Sequence, residues 1–211
     1  MSVNWAYLDL DGTLTDPYEG ISKSLLHSLE PWGITFDEDS LRRLVGPPLR
    51  DTYGTLGLAP DDAELAVERF RERYDVVGWA ENRVFDGIPE ALGALRAAGL
   101  RLGIATSKPT GIARRIAEHF GLAGHLEFVA GASLDASRDA KADVIAWAQT
   151  EFGAGDGWMV GDRSHDIVGG RAMGLATIGV TWGFGDRAEL ADAGADHIVD
   201  AVGDLAAFLT S

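Results

Sequence analysis

The amino-acid sequence predicts an α/β fold: a three-layer arrangement of a parallel sheet between helices, with a small helical insertion after the first strand. Three observations carry that prediction. Beyond residue 84, short β-like runs alternate regularly with helical periodicity. Those runs are continuously apolar, as strands covered on both faces are. Between residues 17 and 83 the rhythm changes to helical patterns with no convincing strand. The expected domains are therefore an α/β core made of residues 1–16 and 84–211, and a helical insert over 17–83. Two connections join insert to core, an arrangement suited to a hinge.

Taken in order, residues 5–8 (Trp-Ala-Tyr-Leu) form the first strand. In the insert, Ile21, Leu25 and Leu29 share one helical face; Leu41, Leu44 and Val45 mark a second helix, and Ala66, Phe70 and Tyr74 a third. A helix over 89–95 closes at Gly99, followed by a strand over 102–105. The next helix, 111–120, places Ile112, Ile116 and Phe120 on one side and stops at Gly121. The alternation then repeats: strands over 128–130, 158–160, 177–180 and 197–199, and helices over 142–152, 167–173, 188–193 and 202–209. Such alternation is the signature of helices on both faces of a parallel sheet.

Composition narrows the function. The 211 residues carry a formal charge of −15 and a pI near 4.6, so most of the surface repels a polyanion such as nucleic acid. A small anionic substrate needs a local positive centre, either a bound metal or a few well-placed Lys and Arg. There is no cysteine, which removes disulfides, thiolate metal sites and cysteine nucleophiles. No apolar run is long enough to cross a bilayer, and the expectation is a soluble, cytoplasmic protein.

Ligands of open α/β sheets bind outside the carboxyl ends of the strands, and four polar segments fall there. The first is Asp9-Leu10-Asp11-Gly12-Thr13. If the strand continues through Leu10, alternation points Asp9 and Asp11 the same way, and two carboxylates that close favour a divalent cation or one raised pKa. Asp11-Gly12 is also an ordinary turn former. The second is Thr106-Ser107-Lys108, whose hydroxyls and following N–H groups suit phosphate oxygens or, equally, a helix cap. The third is Lys141 at the start of a helix, a cation that beside buried carboxylates neutralises both them and a phosphate. The fourth is Gly161-Asp162-Arg163-Ser164-His165-Asp166. Capping accounts for Asp166 but not for Asp162, and an oxygen-rich cluster of this kind suits Mg²⁺.

In their order along the chain, these segments resemble the motifs of the haloacid dehalogenase-like (HAD) phosphatase superfamily, in particular phosphoglycolate phosphatase-like and nucleotidase-like members with a helical cap. Asp9 to Asp16 (DLDGTLTD) resembles the signature DxDGTLxD, IATSKP the second motif, Lys141 the third and GDRSHD the fourth. Many relatives have Lys-Pro where this chain has Lys141-Ala142. The resemblance covers the whole chain and implies a Rossmann-like core with residues 17–83 as its cap. It implies a phosphatase acting on a small phosphorylated metabolite, with Asp9 as nucleophile and Asp11 as acid and base. It further implies Mg²⁺ held by Asp9, the Asp11 carbonyl and Asp162, with Asp166 behind them. Gly12, Thr106, Ser107 and Lys141 would hold the phosphoryl oxygens.

Two further segments lie where such relatives contact substrate. Arg50, in Gly46-Pro47-Pro48-Leu49-Arg50, is placed to meet an anionic leaving group or is simply a surface charge after a rigid turn. Trp182-Gly183-Phe184-Gly185 falls at the edge of the same strand ends. Asp16, where the chain leaves for the insert, is assigned to a hinge turn and not to the metal. Other readings of the same pattern are a phosphomutase of the same superfamily, a receiver-like phospho-aspartate signalling module, and a non-catalytic binding protein on the same fold.

Overall fold

In the computed structural model of the chain, residues 4–46, 49–133 and 137–209 are described. Two compact units are formed, one from residues 1–16 and 84–211, the other from residues 17–83.

The first unit is built on a six-stranded sheet. Its strands are β1 (Trp5–Leu8), β4 (Arg101–Pro109), β5 (Phe128–Ala132), β6 (Gly157–Gly161), β7 (Ala176–Val180) and β8 (His197–Val199), in the order β5-β4-β1-β6-β7-β8. Every neighbouring pair in it is parallel. The helices between strands are α5 (Ile88–Ala97), α6 (Thr110–His119), α7 (Lys141–Phe152), α8 (Ser164–Ala172) and α9 (Arg187–Asp192), and α10 (Val202–Leu209) follows the last strand. A two-stranded sheet pairs β2 (Thr15–Asp16) with β3 (Arg83–Val84). These two-residue strands are too short to show a period-two pattern, and the sequence reading has no strand at either place.

The centre of the sheet explains the apolar runs. Trp5, Tyr7, Ala105, Phe128, Ala130 and Met159 form one core with Val144, Ile145 and Ala148 of α7. Ala6, Leu8, Ile104 and Val160 are buried as completely. Because strand side chains alternate between faces, both faces of β1 are covered, and no polar residue is tolerated until the strand ends.

Register then decides where the site lies. Leu8 of β1 aligns with Ile104 of β4 and with Val160 of β6. The strands that follow β1 in sequence go to one side of it, and β6 starts the series on the other side. Ligands of open α/β sheets bind where strand order diverges in this way. Asp9, Thr106 and Asp162 all emerge just past this aligned row.

Several boundaries differ from expectation. Strand β4 continues to Pro109 instead of ending at 105, with a register irregularity between Ala105 and Pro109. Helix α8 starts at Ser164, three residues before the apolar pattern begins, where the Asp166 carboxylate accepts the Arg163 N–H at 3.0 Å.

The second unit consists of α1 (Tyr18–Leu29), α2 (Glu38–Arg43), α3 (Leu49–Thr55) and α4 (Pro60–Tyr74). Leu25 and Leu29 of α1 and Ala66, Phe70 and Tyr74 of α4 are buried where these helices pack together. Helix α3 was not anticipated, since its seven residues include Gly54 and show no long apolar stripe. It is tied down by Tyr53, whose hydroxyl lies 2.7 Å from the hydroxyl of Ser28.

Candidate active site

Asp9, Asp11, Thr106, Lys141, Asp162 and Asp166 come together at the carboxyl ends of β1, β4 and β6. The Asp9 N–H donates to the Val160 carbonyl at 2.9 Å, which carries the sheet one residue beyond β1 and fixes the start of the loop. The loop then folds back: the N–H groups of Leu14 and Thr15 both donate to the Leu10 carbonyl at 2.9 Å. Gly12, at φ +82°, makes this turn, and a Cβ there would lie 2.2 Å from Asp162 Oδ2. The Asp-Gly pair is thus a turn former as its composition suggests, and the turn sets the backbone directly against a carboxylate of the fourth segment.

Lys141, the first residue of α7, is almost fully buried. Its Nζ lies 2.8 Å from Asp9 Oδ1, 2.7 Å from Asp166 Oδ1 and 2.9 Å from the Ala105 carbonyl. Three oxygens thus surround an ammonium that carries three protons. The Ala105 carbonyl accepts a hydrogen bond from the ammonium, and the buried Asp9 and Asp166 oxygens form ion pairs with it.

The electrostatics follow from this packing. Burial opposes ionisation of Asp9, but Lys141, aided by the Thr106 hydroxyl, outweighs it and holds the carboxyl below its usual range. Burial raises the carboxyl of Asp11, and Lys108 only partly offsets it. Asp162 is pushed up to about 8 by burial and by the charges of Asp166 and Asp9. Asp166 is likewise raised, chiefly by burial. Lys141 is driven above its ordinary value because Asp166 and Asp9 outweigh its own burial. Two lysines, Lys108 and Lys141, are therefore left to balance more carboxylate than they can neutralise.

That imbalance fits a divalent cation. The donors are hard oxygens, Asp9, Asp162 and Asp166 are all buried, and ligand atoms of Asp9, His165 and Asp166 lie within 4.8 Å of one another. Asp162, outside that trio, accepts from the Thr13 hydroxyl at 3.3 Å and from the Phe184 N–H at 2.7 Å.

The remaining expected residues sort as follows. Thr106 is buried beside Asp9, and Ser107 is exposed. Trp182 donates to the Thr13 carbonyl at 3.0 Å, so the Trp182-Gly183-Phe184-Gly185 segment braces the loop after β1. A Cβ on Gly183 would fall 2.3 Å from both Asp162 Oδ2 and the Gly12 carbonyl. Arg50, in the helical unit, is engaged by both carboxylate oxygens of Glu64. Pro47 and Pro48 lie outside the described residues, and Asp16 ends β2.

Sequence reasoning gave no role to Lys108 or His165. Lys108 Nζ lies 2.6 Å from Asp11 Oδ2. Period-two alternation carried past Ala105 would have placed Thr106 and Lys108 on one side of the strand. His165 precedes Asp166 on the first turn of α8 and carried no separate signal.

The model of the haloacid dehalogenase-like hydrolase family matches residues 7–180. The chain belongs to that family. It is 46% identical over 188 residues to a 5′-nucleotidase of Pseudomonas aeruginosa, covering 86% of this chain and 84% of the relative. It is also 46% identical over 187 residues to the tyrosine-protein kinase PtkA of Mycobacterium tuberculosis, covering 87% of this chain but spanning 64% of that relative's length. Among solved structures, a predicted phosphatase from Clostridium acetobutylicum superposes with a TM-score of 0.92 at 40% identity, covering 98% of this chain and 97% of that one. The HAD membership, read from four motifs, and the parallel α/β fold are both borne out. Among the described residues no helix is long and apolar enough to cross a membrane.

Proposed function

We propose that the chain is a Mg²⁺-dependent phosphatase that hydrolyses small phosphate monoesters through a phosphoryl group carried on Asp9. The observation that carries this reading is the Asp9 carboxylate itself, held ionised by Lys141 and Thr106 at the divergence of a parallel sheet in a family of hydrolases. An ionised carboxylate is the state a nucleophile needs.

In the first half-reaction an Asp9 oxygen bonds to phosphorus while the bond to the ester oxygen breaks, and Asp11 supplies the proton that leaves with the alcohol. In the second, Asp11, now a carboxylate, takes a proton from water as that water attacks phosphorus and the Asp9–phosphorus link breaks. Burial keeps the Asp11 carboxyl above its usual range, which suits the donor step. Thr106, the Ser107 N–H, Gly12 and Lys141 hold the phosphoryl oxygens in this reading. Asp9, the Asp11 carbonyl and Asp162 would hold Mg²⁺, with Asp166, which accepts the Arg163 N–H at 3.0 Å, behind them. When bound, the ion would offset the repulsion between Asp9 and an anionic phosphate.

In this proposal the helical unit is the cap that selects the substrate, and Arg50 exchanges Glu64 for an anionic leaving group. Phosphoglycolate is the substrate class suggested by motif resemblance. Nucleoside monophosphates are favoured over it by the 5′-nucleotidase relative, which is matched over most of its length. A phosphate-release screen with Mg²⁺ across phosphoglycolate, sugar phosphates, nucleoside monophosphates and an aryl phosphate tests the proposal, with Asp9→Asn as blank. Release from at least one, abolished in the blank, is expected. Release from none defeats the reading.

A further inference from the structure

Among the described residues, the Asp11 carboxyl has a single tether. Its Oδ1 is buried without a hydrogen-bond partner, while Oδ2 lies 2.6 Å from Lys108 Nζ. Lys108 is itself well buried, with 7% of its side chain exposed against 23% for Asp11. The lysine is placed by the extension of β4 past Ala105, and its backbone N–H donates to the Thr106 hydroxyl at 3.3 Å, tying it to a neighbour of Asp9. A carboxyl group rotates about its Cβ–Cγ bond unless something polar holds it, and here one ammonium does so.

We propose that Lys108 is the positioning residue of Asp11: it sets the carboxyl's orientation for proton transfer to the leaving oxygen and steadies the carboxylate that remains. This rests on the acid/base reading of Asp11. The step is the one already balanced above, in which the proton goes from the Asp11 carboxyl to the ester oxygen as the ester bond to phosphorus breaks. Lys108 gains and loses no atom. Because it works through Asp11, its importance depends on how badly the leaving group needs a proton. An alkoxide needs one; a weakly basic aryl oxide scarcely does.

The test compares wild type, Lys108→Met and Lys108→Arg on an alkyl phosphate and on p-nitrophenyl phosphate, reading kcat/KM, which reports the step that phosphorylates Asp9. The expected result for Lys108→Met is a loss of about 10- to 100-fold on the alkyl ester, part of the ~10²–10⁴-fold that a general acid contributes, with less than ~3-fold on the aryl ester. Lys108→Arg should recover part of the alkyl activity. Thermal melting establishes that each variant folds, and Lys108→Gln replaces the Met variant if that one does not. An equal loss on both esters would mean that Lys108 holds phosphate or the fold, and would overturn the inference, as would no loss at all. If wild type hydrolyses neither ester, the phosphatase reading fails, and this inference with it.

Discussion

Asp9 and Asp11 sit two residues apart in one loop and end with opposite tendencies. Both are penalised by burial; the difference is the cation each meets. Lys141, together with Thr106, overcomes the penalty for Asp9, whereas Lys108 does not for Asp11. One carboxyl is suited to attack and its neighbour to carry a proton, which is the division of labour the proposal needs. At this scale a glycine is as constrained as an acid. Gly12→Ala puts a methyl group 2.2 Å from Asp162 Oδ2 at a φ of +82°. We expect it to lower stability by about 1–3 kcal/mol, measured by chemical denaturation, and to weaken Mg²⁺ binding. Wild-type stability in that variant would mean the loop adapts without cost.

Elements at the sheet edge are held by side chains more than by ladder length. Strand β8 has three residues, and its approach to β7 is clipped by Asp196. The Asp196 Oδ2 accepts the Thr177 N–H and hydroxyl, both at 2.9 Å, and the Thr177 hydroxyl accepts the Asp196 N–H at 3.1 Å. Burial opposes ionisation of Asp196, but these donors prevail and lower its carboxyl below the ordinary 3.8. The stabilisation is therefore complete above that value and is lost as pH falls through the lowered one. Asp196→Ala should cost about 1–3 kcal/mol at neutral pH by denaturation, with the gap to wild type closing as the pH is lowered below 3.8. A gap that stays constant would assign the loss to packing instead of the carboxylate.

The element scale also shows what was legible in the sequence. Continuous apolar runs located β1 and β6 nearly to the residue, because strands covered on both faces admit no polar interruption. Polar residues past Ala105 hid the rest of β4, although the chain remains extended there beside β5. With the strand ended at Ala105, nothing in the sequence turns Lys108 toward Asp11. Helix α3 and the two-residue strands β2 and β3 were invisible for another reason. Segments so short draw their stability from contacts distant in sequence, and no local period reports those. In the site, acids at strand ends could be read directly, but the pairings of Lys141 with Asp166 and of Phe184 N–H with Asp162 depend on the register of separate strands.

For the whole molecule, charge sets the terms. A chain at −15 concentrates four acids, Asp9, Asp11, Asp162 and Asp166, around two lysines, and a divalent cation complements the excess of carboxylate. Chelation should abolish phosphate release and Mg²⁺ should restore it. Mg²⁺ at 100 times its dissociation constant should stabilise the fold by about 2.7 kcal/mol, seen as a raised Tm. Asp162→Asn should reduce that shift. An unchanged shift would move the ion toward Asp9, His165 and Asp166, whose ligand atoms already lie within 4.8 Å of one another. The central claim, however, is the covalent role of Asp9. It is tested most directly by mixing enzyme, Mg²⁺ and a hydrolysed monoester, quenching in acid within one turnover, and mapping the phosphoryl group by peptide mass spectrometry. The account predicts the phosphoryl mass on Asp9 in wild type and nowhere in Asp9→Asn. Turnover without any protein adduct, or an adduct on another residue, would contradict it.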